Sequence, residues 1–317
     1  MRVAAVFIVF LLPTAATAQF FEGKTKEQMA ARRCWEKTAL VLNGSSAPAR
    51  FGRDDADFPP NFDPNLVPLY FGNATEYATF AKRFAGFVSS KWQKEQSTEK
   101  QHNAPFIVVK HVVGNGLPWK HVFTGKYDIN FFESAQQVIS SPTGLGYFRV
   151  KEWQLQYAGN ELAGYKLATA YRMLNNMLGI QLRAAANNTL GDASAVGRAA
   201  PGCAGCHFKG PYPLDTIARV LNRRVGFGAD VTFGPSSDGP QMLFGKMIAD
   251  DAELVNALVS SSAFTFNTCR LSFEFLFGRP ESTCEAPMFE ACVQAFEAEG
   301  TIQAALMAMI RHPDYCR

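Results

Sequence analysis

The sequence has no marked excess of charge of either sign, because 31 lysines and arginines accompany 28 aspartates and glutamates. The formal net charge of +3 argues against a protein that binds nucleic acid through its overall electrostatic field. The sequence also lacks a hydrolase nucleophile elbow, a phosphate-binding loop and a dinucleotide-binding fingerprint. We therefore expect no nucleic-acid partner and no chemistry that depends on these three motifs.

Beyond the N-terminus, no apolar run approaches the roughly 18 residues that a membrane helix requires. The N-terminus itself carries Arg2, a short apolar run over residues 3–12 and the small-residue sequence Ala16-Thr17-Ala18. This arrangement is typical of a cleaved secretory signal, and a retained membrane anchor is the alternative. We predict a signal peptide at residues 1–18, a periplasmic or otherwise exported location, and no transmembrane segment after cleavage.

Histidine is scarce, with 5 in 317 residues, yet one histidine completes the most informative motif of the chain. The sequence Cys203-Ala204-Gly205-Cys206-His207 has the C-x-x-C-H spacing. At this spacing two thiols add across the two vinyl groups of a haem, and the histidine binds the iron. A zinc knuckle and a redox dithiol are the alternatives, but zinc needs a second ligand pair and none is suitably spaced. We predict one covalently attached haem c, with Cys203 and Cys206 as attachment residues and His207 as a metal ligand.

Five cysteines lie outside this motif: Cys34, Cys269, Cys284, Cys292 and Cys316. In an oxidising compartment, four of these five thiols are expected to form two disulfides. Because four of them cluster near the C-terminus, we predict the bridges Cys284–Cys292 and Cys269–Cys316, while the sequence leaves the connectivity open. Cys34 is then the odd thiol, expected as a small buried residue on a helix.

Helical signals dominate the rest of the chain and predict a mainly α fold. A capping box at Thr25 and Gln28 opens a helix that ends at Asn43-Gly44. Apolar residues at helical spacing predict further helices over residues 77–92, 161–182, 214–221, 242–259, 267–277, 286–299 and 302–311. The small and polar residues at 187–200 predict a flexible segment before the haem motif. The glycine-rich sequence at 226–240 predicts an irregular segment with one short strand at 230–233.

Several short sequences along the chain match one known group of proteins. They are GLPW at 116–119, FTGKY at 123–127, PGCAGCH at 201–207, LFGRP at 276–280 and HPDY at 312–315. In this order they resemble a family of exported bacterial cytochrome c-like proteins of unknown function, with a single C-x-x-C-H motif between helical flanking regions. The sequence FKGPYP at 208–213 departs from the acidic and glycine-containing segment that usually follows the motif in that family.

We predict three parts in chain order. Residues 1–18 are the signal peptide, residues 19–185 form a helical N-terminal region, and residues 186–317 form a cytochrome c-like haem domain with a disulfide-containing helical C-terminus. The haem motif marks the last part, and a minimal cytochrome module needs far less chain than this protein has. No internal repeat is evident in the sequence.

The second axial ligand of a six-coordinate cytochrome is commonly methionine or histidine. Met242 follows the irregular segment 234–241, which is able to fold over one face of a haem, so we predict Met242 as a haem-binding residue and metal ligand. Met247 is the next choice on the same stretch. His111 and His121 are further alternatives, which require contact across a domain interface. For each of the four, an ordinary structural role is the competing interpretation.

These features favour an exported monohaem c-type cytochrome that transfers electrons between redox partner proteins, because no second catalytic motif accompanies the haem motif. A haem enzyme of the peroxidase or oxygenase type is one alternative, and it needs an open iron position beside a polar group. Arg172, Arg183, His111 and His121 are the candidates for such a group. A haem-carrying subunit of a larger exported redox assembly is the other alternative.

Overall fold

The computed structural model describes residues 25–44, 62–65, 67, 74–92, 103–131, 136–157, 167–181, 194–210, 212–226 and 230–316. The predicted signal peptide at residues 1–18 lies outside the described residues. Within the described part of the chain, the fold is mainly α, as predicted. None of the helices in these ranges is long and apolar enough to cross a bilayer.

The helices of four residues or more are numbered here in chain order. They are α1 Lys26–Asn43, α2 Ala74–Trp92, α3 Ala104–Gly114, α4 His121–Thr124, α5 Lys151–Gln156, α6 Leu167–Leu178, α7 Ala195–Ala199, α8 Pro201–His207, α9 Leu214–Val220, α10 Asp251–Val259, α11 Ser262–Phe277, α12 Ala286–Glu299 and α13 Ile302–Ile310. A 3₁₀ turn at Thr283–Glu285 precedes α12.

The strands form three separate antiparallel hairpins. The pairs are β1 Tyr127–Asn130 with β2 Gln137–Ser140, β3 Arg223–Val225 with β4 Thr232–Gly234, and β5 Gln241–Leu243 with β6 Lys246–Ile248. The predicted short strand at 230–233 corresponds to β4, which pairs with a strand that the sequence did not predict.

Local capping signals set the ends of the longer helices. The side chain of Thr25 accepts a hydrogen bond from the amide of Gln28, whose side chain in turn accepts from the amide of Thr25. At the other end of α1, Gly44 adopts a left-handed conformation with φ of 73°, which a glycine reaches without a Cβ penalty. Gly278 and Gly300 end α11 and α12 in the same way, so these three predicted helix ends are confirmed.

The C-terminal helices pack against the N-terminal helices around one continuous apolar core. Helix α11 contacts α1, α2 and α6, and the ring centroids of Phe275 and Phe84 are 5.0 Å apart. The amide of Trp119 donates to the carbonyl of Gly300 at 2.7 Å, which ties the turn before α4 to the end of α12. Side chains from both sides of residue 185 share this core, and the division into two regions at that residue stays a prediction.

The predicted helix over residues 242–259 is wrong in its first half. Residues 241–248 form the β5–β6 hairpin, and the helix begins only at Asp251, after the side chain of Asp250 accepts from the amide of Glu253. Phe244 and Gly245 link the strands with φ of 52° and 76°. Positive φ at both central residues is the conformation of a tight two-residue hairpin turn, which interrupts the helical pattern.

The predicted disulfide pairing is also wrong. The structure pairs Cys34 with Cys316 and Cys269 with Cys292, while Cys284 is unpaired and exposed. Cys284 lies in the turn before α12, and Cys292 lies two helical turns further along. An eight-residue helical separation spans about 12 Å, which is too far for a disulfide. Cys292 instead faces Cys269 on the neighbouring helix α11.

Replacing both Cys34 and Cys316 by alanine is expected to lower the free energy of unfolding by about 2–4 kcal/mol. The bridge joins residues separated by 282 positions, so its loss frees a very long loop in the unfolded chain. Urea denaturation followed by circular dichroism measures the change. Cys284→Ala is the matched control and should stay within about 0.5 kcal/mol of the parent protein. A loss of equal size in both variants would contradict the assignment.

Candidate functional site

The C-x-x-C-H motif lies on α8, which follows the short helix α7. The side chain of Ser194 caps α7 by accepting from the amide of Gly197 at 3.2 Å. Pro201 then occupies the first turn of α8, where its missing amide hydrogen has no cost. The predicted flexible approach over residues 187–200 is therefore helical from 195 to 199, and residues 187–193 lie outside the described part.

Helix α8 places Cys203 and His207 four residues apart, so both project from the same face of the helix. The Cys203 thiol is exposed, and the His207 side chain is 26% exposed. Cys206 belongs to the same helix, and its side chain lies outside the description. The exposed Cys203 thiol, on the face that carries the histidine, is accessible for attachment of an external group.

The imidazole of His207 is held by a buried carboxylate. The Nδ1 atom of His207 lies 2.8 Å from Oδ2 of Asp215, whose side chain is 7% exposed. The guanidinium of Arg198 contacts the same carboxylate, with its Nε atom 3.1 Å from Oδ1 and its Nη2 atom 3.0 Å from Oδ1. Three side chains, one each from α7, α8 and α9, thus converge on one point.

This contact determines which nitrogen of His207 is available. A carboxylate paired with arginine is an acceptor only, so Nδ1 must carry the hydrogen and donate it. In the neutral imidazole, Nε2 then keeps its lone pair. Histidines that bind metals generally donate their other ring nitrogen to a carboxylate or a carbonyl in this way. The arrangement therefore prepares His207 to bind a metal through Nε2.

Helix α9 positions Asp215 through its own packing. Leu214, Ile217 and Ala218 are buried, and α9 contacts α6 on one side and strand β5 on another. Asp215 lies in the first turn, where the helix dipole favours a negative charge. Pro213 immediately precedes the helix, at its N-cap position. The buried face of α9 thus fixes the carboxylate that receives His207.

The hairpin beside α9 carries the methionines predicted as ligands. Met242 and Met247 stand directly opposite each other in the strand register and are 62% and 56% exposed. Because side chains alternate along a strand, their neighbours Leu243 and Ile248 face the other way and are buried. The hairpin is therefore anchored by one face and presents two thioethers on the other.

Exposed apolar side chains are frequent in the part of the sequence that contains the motif. Nine large apolar residues are exposed in the described part of the chain, and five of them lie between residues 194 and 248. These five are Val196, Val225, Met242, Phe244 and Met247. Clustered exposed apolar side chains mark a surface that receives a ligand or a partner. The segment that carries C-x-x-C-H therefore differs from the rest of the surface.

The histidine alternatives lie on other elements. His111 is on α3, where its ring packs 5.2 Å from the ring of Tyr127, and burial lowers its pKa. His121 is on α4, which contacts α3 and α10, and its pKa is lowered by burial and by Lys120. Both side chains are partly buried, as expected for the ordinary structural role weighed above.

Of the two arginines considered as a polar group beside the iron, the structure describes only Arg172. The guanidinium of Arg172 donates to the carbonyl of Trp92 at 3.3 Å and lies over the ring of Tyr157. Arg183 lies outside the described residues. In the described ranges, no group of three or more His, Cys, Asp or Glu side chains is arranged to hold a metal ion. The zinc site weighed above is therefore not assembled by those residues.

Sequence reasoning missed Asp215 and Arg198. The only available signal was an aspartate in the first turn of a helix that begins shortly after the motif, and such residues are common as helix-start residues. Arg198 lay in a segment predicted to be flexible. Their roles emerge only when α7, α8 and α9 are brought together.

Comparisons with protein-family models, with curated proteins and with solved structures found no match. The resemblance to exported cytochrome c-like proteins therefore stays a prediction based on the short sequences and on the C-x-x-C-H motif.

Proposed function

We propose that this protein is an exported c-type cytochrome that carries one haem c and transfers electrons between redox partner proteins. In this proposal Cys203 and Cys206 form the thioether bonds, and His207 binds the iron. The observation that supports it most directly is the 2.8 Å contact between Nδ1 of His207 and Asp215, which leaves Nε2 free on the helix that bears the motif.

The residues around the motif fit such a group. The Cys203 thiol is exposed on the side of α8 that carries His207, so attachment requires no rearrangement of the core. In this proposal the exposed apolar side chains between residues 194 and 248 contribute apolar surface for the porphyrin. When bound, the haem supplies a one-electron iron couple, and the protein tunes and shields it.

The second ligand in this proposal is Met242. The hairpin that carries it packs on α9, the helix that also holds Asp215. A methionine side chain that is 62% exposed is unusual for a residue whose ordinary role is to fill a core, so the packing role weighed above does not account for it. Met247 remains the alternative because it lies directly across the strand pair. A methionine ligand raises the reduction potential, which suits electron transfer.

A haem enzyme is the second candidate, and one observation favours it. A carboxylate that accepts from the ligand histidine makes the imidazole a stronger electron donor to the metal, which stabilises oxidised iron.

The third candidate function is a haem-carrying subunit of a larger redox assembly, supported by the exposed apolar residues close to the motif in the sequence. An exported location accords with the two disulfides, which persist in oxidising compartments.

Haem is expected to stay attached after denaturation and extraction with acid and acetone, because thioether bonds survive both treatments. Intact mass spectrometry of protein made in cells competent for cytochrome maturation measures this. Cys203→Ala combined with Cys206→Ala should abolish attachment, whereas Cys284→Ala, which removes an exposed thiol elsewhere, should leave it complete. A parent mass equal to that of the bare processed chain would falsify haem attachment.

Met242→Ala should convert a low-spin, six-coordinate haem into a high-spin species that binds carbon monoxide or cyanide, because the variant leaves one iron position open. Absorption and resonance Raman spectra report the coordination and spin state. Met247→Ala is the matched control, with similar exposure on the opposite strand, and should leave the spectrum unchanged.

The same spectra separate the alternatives. If only Met247→Ala opens the iron, the ligand assignment moves to that residue. If the unmodified protein is already high-spin and turns over peroxide rapidly, the enzyme candidate replaces electron transfer.

A further inference from the structure

The helices that carry the haem motif have little packing of their own. No side chain of α7 is buried, and no described side chain of α8 is buried either. The backbone hydrogen bonds of residues 198–209 run to carbonyls within the same segment. The hydrogen bonds and ion pairs of its polar side chains are therefore important in holding this segment to the rest of the protein.

The carboxylate of Asp215 makes two such contacts. It accepts from His207 on α8 and from Arg198 on α7, and the side chain of Arg198 is only 11% exposed. Asp215 itself belongs to α9, which packs on α6 and on strand β5. One buried carboxylate therefore anchors both helices to the core and touches the nitrogen opposite the proposed metal-binding atom.

We propose that Asp215 is the positioning residue of the iron ligand and that Asp215 and Arg198 together set the reduction potential. This inference rests on the proposed function. Asp215 fixes the ring of His207 in one orientation and one tautomer, in which Nε2 keeps its lone pair. Its negative charge also strengthens the donation of electrons by the imidazole.

Arg198 opposes that effect. Its guanidinium shares the carboxylate with His207, so it withdraws negative charge from the hydrogen bond. Because the side chains of Asp215 and Arg198 are only 7% and 11% exposed, solvent screens their charges less than those of surface ion pairs. Loss of Asp215 and loss of Arg198 therefore shift the potential in opposite directions, whereas two variants that merely loosened the same helices would shift it alike.

The test measures the midpoint potential of the purified holoprotein and of two variants by spectroelectrochemical titration. Asp215→Asn keeps the side-chain volume and removes the negative charge, so the potential should rise. Arg198→Gln removes the positive charge, so the potential should fall. We expect each equilibrium constant for reduction to change about tenfold, which corresponds to about 59 mV for a one-electron couple.

Arg223→Gln is the matched control. Arg223 pairs with Asp238 beside the neighbouring β3–β4 hairpin, so this variant removes the same charge from an ion pair that does not include His207. Its potential should stay close to that of the parent protein. Asp215→Glu, which restores the charge, should return the potential towards the parent value.

Each outcome decides the inference. Opposite shifts in the two variants, with little change in the control, support it. Shifts of the same sign, or potentials that do not move while the haem stays attached, overturn it and leave the proposed function standing. If Asp215→Asn fails to fold, the sign of the shift in Arg198→Gln decides alone. A parent protein without haem overturns both proposals.

Discussion

The burial of α11 among the N-terminal helices is the constraint on which the rest of the structure depends. This helix packs on α1, α2 and α6 and also joins α12 through Cys269 and Cys292. Helix α9 packs against α6 and carries Asp215, whose carboxylate accepts a hydrogen bond from His207. The described side chains of the motif are exposed or half-exposed. The position of the motif therefore depends on packing that begins several elements away, at α11.

The parts of the fold that could be predicted are those with a local cause. The capping box at Thr25 and Gln28 and the left-handed glycines Gly44, Gly278 and Gly300 act within one helical turn, so the sequence alone places these ends. The bounds of α12 follow from such signals without any tertiary information. The C-x-x-C-H motif is equally local, because thioether spacing is a property of five residues.

The parts that could not be predicted depend on distant neighbours. Helix α3 is apolar nearly all round, so it lacks the periodic pattern of a half-exposed helix and was not predicted. The turn at Phe244-Gly245 interrupts a helical pattern by backbone conformation alone. The pairing of Cys34 with Cys316 requires the first described helix to meet the segment that follows the last one, and the contact between Asp215 and His207 requires two short helices to pack.

The bridge between Cys34 and Cys316 has a further effect, on what a protease does to this chain. It joins residues 282 positions apart, so nearly the whole described chain lies inside one covalent ring. A single cut anywhere in that ring opens it without releasing a fragment, and the two pieces stay held together by the bridge. The packing of α11 against α1 and α2 then helps to keep the nicked molecule assembled, with the C-x-x-C-H segment still attached.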